Sequence, residues 1–396
     1  MKNITNISLQ GKRVLIRVDF NVPLDACFNI TDDSRIRTSL PTIIKVMADG
    51  GKAIIMSHLG RPKNGFEERF SLKHIVKHLS SLLQSSVHFS NNCVGENTAS
   101  NIKNMENGDV LVLENLRFYP QEKLGDERFA KQLAGLGDVY VNDAFGTAHR
   151  SHASTAVIAN YFPNNKYFGL LLSNEISNLK TALENPKRPF TAIIGGAKIA
   201  GKIDVITSLF DKVDSLIIGG GMAYTFIKAM GGSIGSSLVE EDKLDLAKNI
   251  IAEAKTKGVD FLLPSDSVNA DYFNNSANIK HSEITNVPNG YMGLDIGPES
   301  IAQFSKAILD SKTIIWNGPM GVFEMENFSN GTKKLGAAIC EATKNGAFSL
   351  VGGGDSVAAV KQFGFSDKIS YLSTGGGAML KYLEGKELPG IVAIQD

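Results

Sequence analysis

Residues 350–360 read LVGGGDSVAAV: an apolar run, three glycines, an aspartate, a serine and a second apolar run with helical spacing. This order predicts a strand, a tight loop and a helix. Three consecutive glycines lose more backbone entropy on folding than an ordinary turn requires, so we expect a ligand to lie close to this backbone. The same order of strand, special loop and helix recurs along the chain, which indicates parallel sheets covered by helices on both faces.

Short runs rich in Val, Ile and Leu mark the predicted strands. In the first half they are RVLIRVDF, AIIMSHLG, VLVLENLRF and VYVNDAFG, and in the second TAIIGGAK, SLIIGGGM, DFLLPSDS, TIIWNGPM, SLVGGGDS and ISYLSTGGG. Ligands of such α/β folds bind at the carboxyl ends of the strands. The loops that follow these runs therefore hold the candidate functional residues.

The composition is that of an ordinary globular protein, and it excludes several classes of partner. The 396 residues include 41 basic and 41 acidic side chains, and 43% of them are hydrophobic. This balance predicts no nucleic-acid partner and no anionic membrane surface. The first residues lack the apolar core of a signal peptide, and no apolar run is long enough to cross a bilayer, so we expect a cytoplasmic protein.

Cys27, Cys93 and Cys340 lie far apart without CxxC spacing; we interpret them as buried or incidental thiols, the alternative being a redox or metal role.

The two halves of the chain differ in chemistry. Nine of the ten arginines and six of the seven histidines precede residue 153, whereas 27 of the 39 glycines follow residue 172. Arginine suits carboxylate and phosphate, and glycine lets a ligand reach main-chain N–H groups, so two different ligands are expected. Between the halves a helical spacing ends at two prolines and predicts a stiff connector near residues 170–188, with hinge motion about it. Its apolar positions are Leu172, Ile176, Leu179 and Leu183, followed by Pro186 and Pro189.

Basic and polar side chains follow four predicted strands of the first half. They are Arg17, Asp19, Asn21, His58, Arg61, Arg117, His149, Arg150 and His152, and Arg35 belongs to the first turn of a predicted helix. Any one of these arginines is explained by a surface ion pair. Together, at strand ends that converge, they predict a pocket for an anion with several charges, with Asp19 and Asn21 holding a hydroxyl. His74 and His78 share a predicted helix face, which we interpret as solvated because a metal site lacks a third ligand in view.

Two nucleotide motifs are nearly matched in the second half, and both fail at a specific position. GAKIAGKI, from Gly196, resembles a P-loop, but Ile203 replaces the hydroxyl that would ligate Mg²⁺. The triple glycines lack the third glycine of the dinucleotide fingerprint, which argues against a dehydrogenase. Lys198 and Lys202 remain of interest, since they are four apart and are predicted on one helix face.

The glycine runs instead predict an anion site made of a helix start and unpaired backbone N–H groups. For any single run, tight packing of helix on sheet is the alternative. Asp355 is interpreted as a Mg²⁺ ligand or, alternatively, as a helix N-cap beside Ser356. Asn317, Pro319 and Glu324, in WNGPMGVFE, fit a nucleoside wall and a ribose acceptor, although a simple turn explains them nearly as well.

Eight motifs make the chain resemble the phosphoglycerate kinase family from end to end: RVDFNVP, SHLGRP, NDAFGTAHR, GGAK, IIGGGMA, WNGPMGVFE, GGGDS and STGGGA. The resemblance implies two Rossmann-like α/β domains, each a parallel sheet flanked by helices, that face each other across a cleft. It implies a phosphoglycerate-binding domain at 1–170, an interdomain helix at 171–188, a nucleotide-binding domain at 189–378, and a tail from about 379 to 396 that returns to the first domain.

The resemblance also implies the reaction: reversible Mg²⁺-dependent transfer of a phosphoryl group between 1,3-bisphosphoglycerate and ADP, giving 3-phosphoglycerate and ATP. The implied substrate-binding residues are Asp19, Phe20, Asn21, Arg35, His58, Leu59, Gly60, Arg61, Arg117 and Arg150. The implied nucleotide-binding residues are Gly196, Ala197, Lys202, Gly219, Gly220, Leu294, Asn317, Pro319, Glu324, Gly353, Gly354, Asp355 and Ser356. Arg35 and Lys198 are implied as catalytic, Asp355 as the metal ligand, and the protein as a monomer.

Phosphoryl transfer needs positioning and electrostatic stabilisation more than a protein nucleophile, and no nucleophile–base pair stands out in the sequence. An acyl phosphate hydrolyses readily, so we expect hinge closure to bring Arg35 and Lys198 to one phosphoryl group, with STGGGA, from Ser373, as a candidate hinge. The competing interpretations are a dehydrogenase, which needs the missing fingerprint, and a non-catalytic nucleotide-binding regulator, which needs no arginine pocket. Gly201, Ser151 and Ser356 depart from residues common in the family, which leaves nucleotide preference and rate open.

Overall fold

The computed structural model describes residues 2–63 and 65–395. The chain forms two compact units. Residues up to Ser177, together with those from Glu387 onward, form the first unit, and Asn178–Lys386 form the second. The tail that belongs to the first unit therefore begins at Glu387, later than the expected position near residue 379.

The first unit is built on a six-stranded parallel sheet. Its elements are β1 (Arg13–Arg17), α1 (Ser34–Ala48), β2 (Lys52–Met56), α2 (Lys73–Leu83), β3 (Val87–Ser90), α3 (Glu96–Lys103), β4 (Val110–Leu113), α4 (Pro120–Leu124), α5 (Glu127–Ala134), β5 (Val139–Asn142) and β6 (Lys166–Phe168), with short 3-10 helices at Ile4–Asn6, Glu68–Phe70, Leu116–Phe118, Phe145–Thr147 and Val157–Tyr161. The strand order is β3-β4-β2-β1-β5-β6. Strand β1 lies inside the sheet, which is why four of its five residues are buried.

Helix α6 (Leu170–Leu183) carries the chain from the first unit into the second. It is shorter than the expected 171–188 because it ends at Leu183, three residues before Pro186, and residues that precede a proline disfavour helical backbone. A proline lacks the N–H that a continuing helix needs.

The second unit repeats the arrangement. Its elements are β7 (Phe190–Ile194), α7 (Ile203–Leu209), β8 (Ser215–Ile218), α8 (Ala223–Ala229), β9 (Ser233–Ile234), α9 (Leu244–Thr256), β10 (Asp260–Leu262), β11 (Asp266–Ala270), β12 (Ile279–Glu283), β13 (Asn286–Val287), β14 (Met292–Ile296), α10 (Pro298–Asp310), β15 (Thr313–Asn317), α11 (Asn330–Lys344), β16 (Phe348–Val351), α12 (Gly354–Gln362), β17 (Tyr371–Leu372) and α13 (Gly376–Leu383), with 3-10 helices at Glu241–Lys243, Glu326–Phe328 and Ser366–Lys368. The main sheet is parallel, in the order β10-β8-β7-β15-β16-β17. The tail then adds α14 (Pro389–Gln395) to the first unit.

All ten apolar runs named above are strands of the two main sheets, and the predicted fold class is confirmed. The sequence interpretation missed the edge strands β3 and β6, and it missed the antiparallel sheet β12-β11-β14 and the β9–β13 pair. These strands are short or, like β12, mostly exposed, so they lack the apolar run that marks a central strand. Among the described residues no helix combines the length and apolar character needed to span a bilayer.

Candidate active site

Four adjacent strands of the first unit end at the same edge of its sheet. Arg17, the last residue of β1, lies in register with Met56 of β2 on one side and with Asn142 of β5 on the other. The loops after β1, β2, β4 and β5 therefore start side by side, and they contain the predicted substrate residues. This register is why residues more than a hundred positions apart in sequence meet.

Hydrogen bonds connect these loops to one another. Arg35 Nη1, in the first turn of α1, donates to Asp19 Oδ2 at 3.0 Å and to the Asn21 carbonyl at 3.3 Å. The Gly60 N–H donates to Asn21 Oδ1 at 2.8 Å, and Arg117 Nη1 donates to the Gly60 carbonyl at 2.7 Å. The structure thus brings Asp19, Asn21, Arg35, Gly60 and Arg117 together.

The remaining predicted substrate residues take different places around this group. Arg61 and Arg150 are exposed, and Arg150 lies near enough to Arg117 to lower the pKa of its guanidinium. Phe20 and Leu59 are buried and belong to the hydrophobic core, so their side chains anchor the loops to that core. Their backbones are held in turn by Ser57 and Asn115, two residues that sequence reasoning missed.

The concentration of positive charge is visible in the pKa values. Burial, assisted by the charges of Arg17 and Arg150, lowers the pKa of Arg117 to about 10. Burial and neighbouring arginines lower the pKa of His152 to about 4, and they hold the pKa of His58 well below its usual range. Both histidines are therefore neutral near pH 7, and the cluster is short of negative charge. An anionic ligand would relieve this repulsion.

The buried Arg17 determines how His58 is protonated. Arg17 Nη2 lies 3.3 Å from His58 Nδ1, and a guanidinium can only donate. His58 Nδ1 is therefore the acceptor, and the ring proton sits on Nε2. Arg17 is itself held by Ser154, whose hydroxyl accepts from Arg17 Nε at 2.9 Å and donates to the buried Glu122 carboxylate at 2.6 Å. Glu122 and Ser154 were not predicted, because the polar character of either residue alone gives no sign of burial.

His74 and His78 have protein partners rather than a solvated face. The His74 ring stacks on Phe28 with 4.3 Å between the ring centroids, and His78 Nε2 lies 2.8 Å from Asp33 Oδ2. Cys27 is exposed, Cys93 is buried and Cys340 is half-buried.

In the second unit a cavity of about 640 Å³ opens beside the glycine loops. It is lined by seven of the predicted nucleotide residues, Gly196, Ala197, Gly220, Leu294, Pro319, Glu324 and Asp355. Sequence reasoning missed much of its apolar wall, including Leu238, Phe273 and Met292. Those residues come from the unpredicted small-sheet region and its loops, which carry no recognisable motif. A largely apolar cavity whose lining also includes Glu324 and Asp355 suits a planar base attached to phosphates.

Lys202 lies next to Gly196, one of the residues that line this cavity: a Cβ on Gly196 would lie 3.5 Å from Lys202 Nζ. Its ammonium donates to the Gly195 carbonyl and to Asn317 Oδ1, the latter at 2.9 Å. Burial lowers its pKa to about 8, and the nearby Asp355 acts in the opposite direction. The predicted helical placement of the two lysines is wrong: Lys198 is exposed in an irregular turn, and Lys202 is the residue just before α7 begins. Gly196, two residues after the end of β7, has φ +111°, a backbone conformation that side chains rarely adopt and that does not occur in a helix.

The three glycines at residues 352–354 lie in three different structural environments. A Cβ on Gly352 would lie 1.9 Å from Met379 Sδ, so this residue is required by packing against α13. Gly353 has φ +100° and precedes α12 as its N-cap, whereas a Cβ on Gly354 would meet nothing within 4 Å. Only Gly354 therefore leaves open space for a ligand. Asp355 lies exposed in the first turn of α12 rather than at the N-cap, and the buried Ser356 hydroxyl accepts from the Gly318 N–H.

We predict opposite outcomes for alanine at two of these neighbouring positions. Gly353→Ala is expected to lower the free energy of unfolding by about 1–2 kcal/mol, because the backbone is left-handed there and the new methyl would approach Asn317. Gly354→Ala, in a helical turn with open space, is expected to leave it unchanged or to raise it slightly. Urea denaturation of both variants measures the difference, and equal losses would contradict this account.

Gly219 and Gly220 are also packing glycines. A Cβ on Gly219 would lie 2.3 Å from Met320 Sδ, and one on Gly220 would lie 2.6 Å from the Gly196 backbone. They let the loops after β7, β8 and β15 approach each other closely, and the Gly220 N–H donates to the Met320 carbonyl at 3.1 Å.

A clustered cationic site on one parallel sheet and a nucleotide-sized cavity beside glycine loops on another define an α/β phosphotransferase with a small anionic substrate. A family model described as phosphoglycerate kinase matches residues 4–386. The chain belongs to the phosphoglycerate kinase family. It is a kinase that transfers a phosphoryl group reversibly between 1,3-bisphosphoglycerate and ADP, giving 3-phosphoglycerate and ATP.

Individual relatives agree over nearly the full length. The chain is 53% identical to a phosphoglycerate kinase of Porphyromonas gingivalis over 99% of both chains, and 52% identical to one of Chlorobaculum tepidum over 100% of this chain and 99% of the relative. The structure of phosphoglycerate kinase from Coxiella burnetii matches with a TM-score of 0.89 at 42% identity, covering 99% of this chain and 98% of that one. The family predicted from the eight motifs is thereby confirmed.

Proposed function

We propose that the cationic cluster of the first unit binds the phosphoglycerate and that the glycine loops of the second unit bind the nucleotide. The observation that supports this most strongly is the group formed by Asp19, Asn21, Arg35, Gly60 and Arg117, which is rich in positive charge and partly buried. Arg61 and Arg150, exposed beside it, add charge for the phosphate. The neutral His58, with its proton on Nε2, donates a hydrogen bond toward the carboxyl or phosphate oxygens.

The nucleotide is proposed to lie with its base in the apolar cavity between Leu294 and Pro319, its ribose near Glu324 and its phosphates at Gly353–Ser356. Support comes from the shared cavity lining and from the open space at Gly354. The N-terminal N–H groups of α12 face that space and favour negative charge. Lys202 and Asn317 are joined by a hydrogen bond, and both would contact the same phosphates.

Mg²⁺ is proposed to bind with the nucleotide, through Asp355. Among the described residues no three His, Cys, Asp or Glu side chains form a cluster of metal ligands. One exposed carboxylate next to a phosphate site fits Mg²⁺, which is commonly held by one or two carboxylates, by waters and by the substrate's own phosphates. Bound there, the ion would neutralise charge on the phosphates.

For the transfer itself we propose that the two units close on their substrates, so that Arg35 and Lys198 contact the same phosphoryl group. Its equatorial oxygens gain stabilisation from fixed positive charge, and closure excludes the water that would hydrolyse the acyl phosphate. The STGGGA segment, from Ser373, is the proposed hinge. We further propose a monomer that acts in the cytoplasm, since one chain supplies both sites and ATP is available there.

Trapping the acyl phosphate with hydroxylamine tests the proposed function directly. The protein, incubated with 3-phosphoglycerate, ATP and Mg²⁺, is expected to yield a hydroxamate, and chelation of the Mg²⁺ is expected to abolish the product. Asp355→Asn should require more Mg²⁺ for the same rate. No hydroxamate from folded protein would favour a non-catalytic nucleotide-binding protein, and product that persists without Mg²⁺ would contradict the proposed ion.

We predict that nucleotide binding takes up a proton at Lys202. Burial favours the neutral amine and lowers the pKa to about 8, whereas phosphate oxygens favour the charged form and raise it on binding. Slightly above that pKa, ADP binding should therefore consume a fraction of a proton, and ADP affinity should fall as the pH rises further. Calorimetry in two buffers of different ionisation enthalpy measures the uptake. Lys202→Arg, which stays charged, should abolish it, and uptake unchanged in that variant would contradict the assignment.

A further inference from the structure

The turn that carries Lys198 is held by a side chain from another segment. At its start the Gly196 N–H donates to the Pro319 carbonyl at 3.1 Å, and the Gly196 carbonyl accepts from the Met222 N–H at 3.0 Å. At its end the Lys202 N–H donates to the Ile199 carbonyl at 2.8 Å. Between these points Glu240 Oε2 accepts from the N–H groups of Ile199 and Ala200 at 2.6 and 3.2 Å.

The two N–H groups held by Glu240 come directly after Lys198. Ile199 is fully buried, and an unpaired backbone N–H near it would be costly. A carboxylate that accepts from two consecutive N–H groups makes charge-assisted bonds, which are stronger than neutral ones and fix the peptide direction. The exposed Lys198 side chain thus extends from a backbone that is restrained immediately on its C-terminal side.

Glu240 is itself anchored. Its N–H donates to Thr225 Oγ1 at 3.2 Å, and Thr225 is buried in α8. Two residues earlier, Leu238 lines the nucleotide cavity. One short segment therefore contacts both the cavity and the Lys198 turn.

We propose that Glu240 is a positioning residue for phosphoryl transfer: it fixes the backbone after Lys198 so that the ammonium reaches the transferred group in a productive geometry. This inference rests on the proposed role of Lys198. Glu240 acts only through the turn and touches neither substrate. Misplacement of a catalytic group by about 1 Å can lower a rate by up to about 100-fold, so the loss of this anchor should have a measurable effect on kcat.

Three single variants test the proposal. Glu240→Ala is expected to lower kcat on the order of 10-fold, with the KM for ADP nearly unchanged. Amide hydrogen exchange should become faster at Ile199 and Ala200, and the melting temperature should fall by only a few degrees, as expected for one or two unpaired N–H groups. Glu240→Gln retains a side-chain oxygen acceptor and should restore most of kcat. Glu241→Ala, at the exposed neighbouring glutamate, is the matched control and should behave like the wild type.

A double variant separates this proposal from the role of Lys198. If Glu240 acts through Lys198, Glu240→Ala should lower kcat no further in a Lys198→Ala background. Additive losses would overturn the proposal, and so would a raised KM for ADP with unchanged kcat, which would indicate an effect on the cavity through Leu238. If Lys198→Ala lowers kcat and Glu240→Ala does not, the role of Glu240 is refuted and the role of Lys198 stands. Wild-type kcat in Lys198→Ala refutes the role of Lys198 and this inference with it.

Discussion

Replacing Lys198 by alanine is expected to lower kcat by about 100-fold or more while the affinity for nucleotide changes little. The reason is that Lys198 is exposed in the structure whereas Lys202 is half-buried, and we expect the contact proposed for Lys198 to form only as the phosphoryl group moves. An interaction made only in the transition state affects kcat rather than binding. Steady-state kinetics with ADP and 1,3-bisphosphoglycerate, together with direct measurement of ADP binding, separate the two quantities.

Lys257→Ala is a suitable control, because Lys257 is paired with Asp211 on the surface at 2.6 Å and belongs to neither site. It should leave both kcat and ADP affinity unchanged. Equal losses of kcat and of ADP affinity in Lys198→Ala would show that Lys198 holds the nucleotide in the ground state, and the catalytic role would then be wrong.

Replacing Arg17 by methionine is expected to lower the free energy of unfolding by about 3–5 kcal/mol. Arg17 and Glu122 are each about 1% exposed, and Ser154 connects them. Without Arg17 the Glu122 carboxylate remains buried and loses its strongest opposing charge, with only the weaker effect of Arg117 left. Arg13→Met, in the same strand, is the matched control: its pair with Asp138 is roughly 40% exposed on both sides and should be worth at most about 1 kcal/mol.

The pH dependence of that loss identifies its cause. Burial raises the pKa of Glu122 above its usual 4.5, and the charge of Arg17 opposes the rise. In Arg17→Met the folded-state pKa should rise further, so stability falls as the pH increases from the unfolded pKa to the new folded one. The deficit against wild type should therefore be smaller in acid, where Glu122 is protonated. Adding Glu122→Gln should remove the part of this pH dependence that comes from Glu122, and what remains would come from His58 and His152, whose pKa values Arg17 also lowers. A deficit that stays constant with pH would show that lost packing, not charge, is responsible.

Much of the site could be predicted because its motifs combine residue type with a position at a strand end. Arg117 and Asp355 are predicted on such grounds, and Arg35 is predicted from the first turn of a helix; the structure gives each of them a place in one of the two site regions. The motif GGGDS was more ambiguous than it appeared. The sequence does not distinguish a glycine required by packing from one required by its φ angle or one that lies next to open space. Of these three glycines, only Gly354 lies next to open space.

Other features had no signal in the sequence. Glu122, Ser154 and Glu240 are common residue types outside any motif, and their importance comes from what they contact: Arg17 for the first two, and the Ile199 and Ala200 N–H groups for the third. The two lysines four residues apart suggested a helix, but the positive φ of Gly196 and the bonds of Glu240 keep the turn irregular until α7 begins at Ile203.

By itself the sequence determined the α/β class, the central strands and the family, because these depend on local periodicity and on short motifs whose chemistry is specific. The tertiary structure decided which side chains face each other across strand ends, how His58 is protonated and what holds the Lys198 turn. Those properties depend on distances between residues far apart in the chain, and on burial that changes the energy of a charge. Neither the distances nor the burial is defined until the strands pair in register and the loops pack against them.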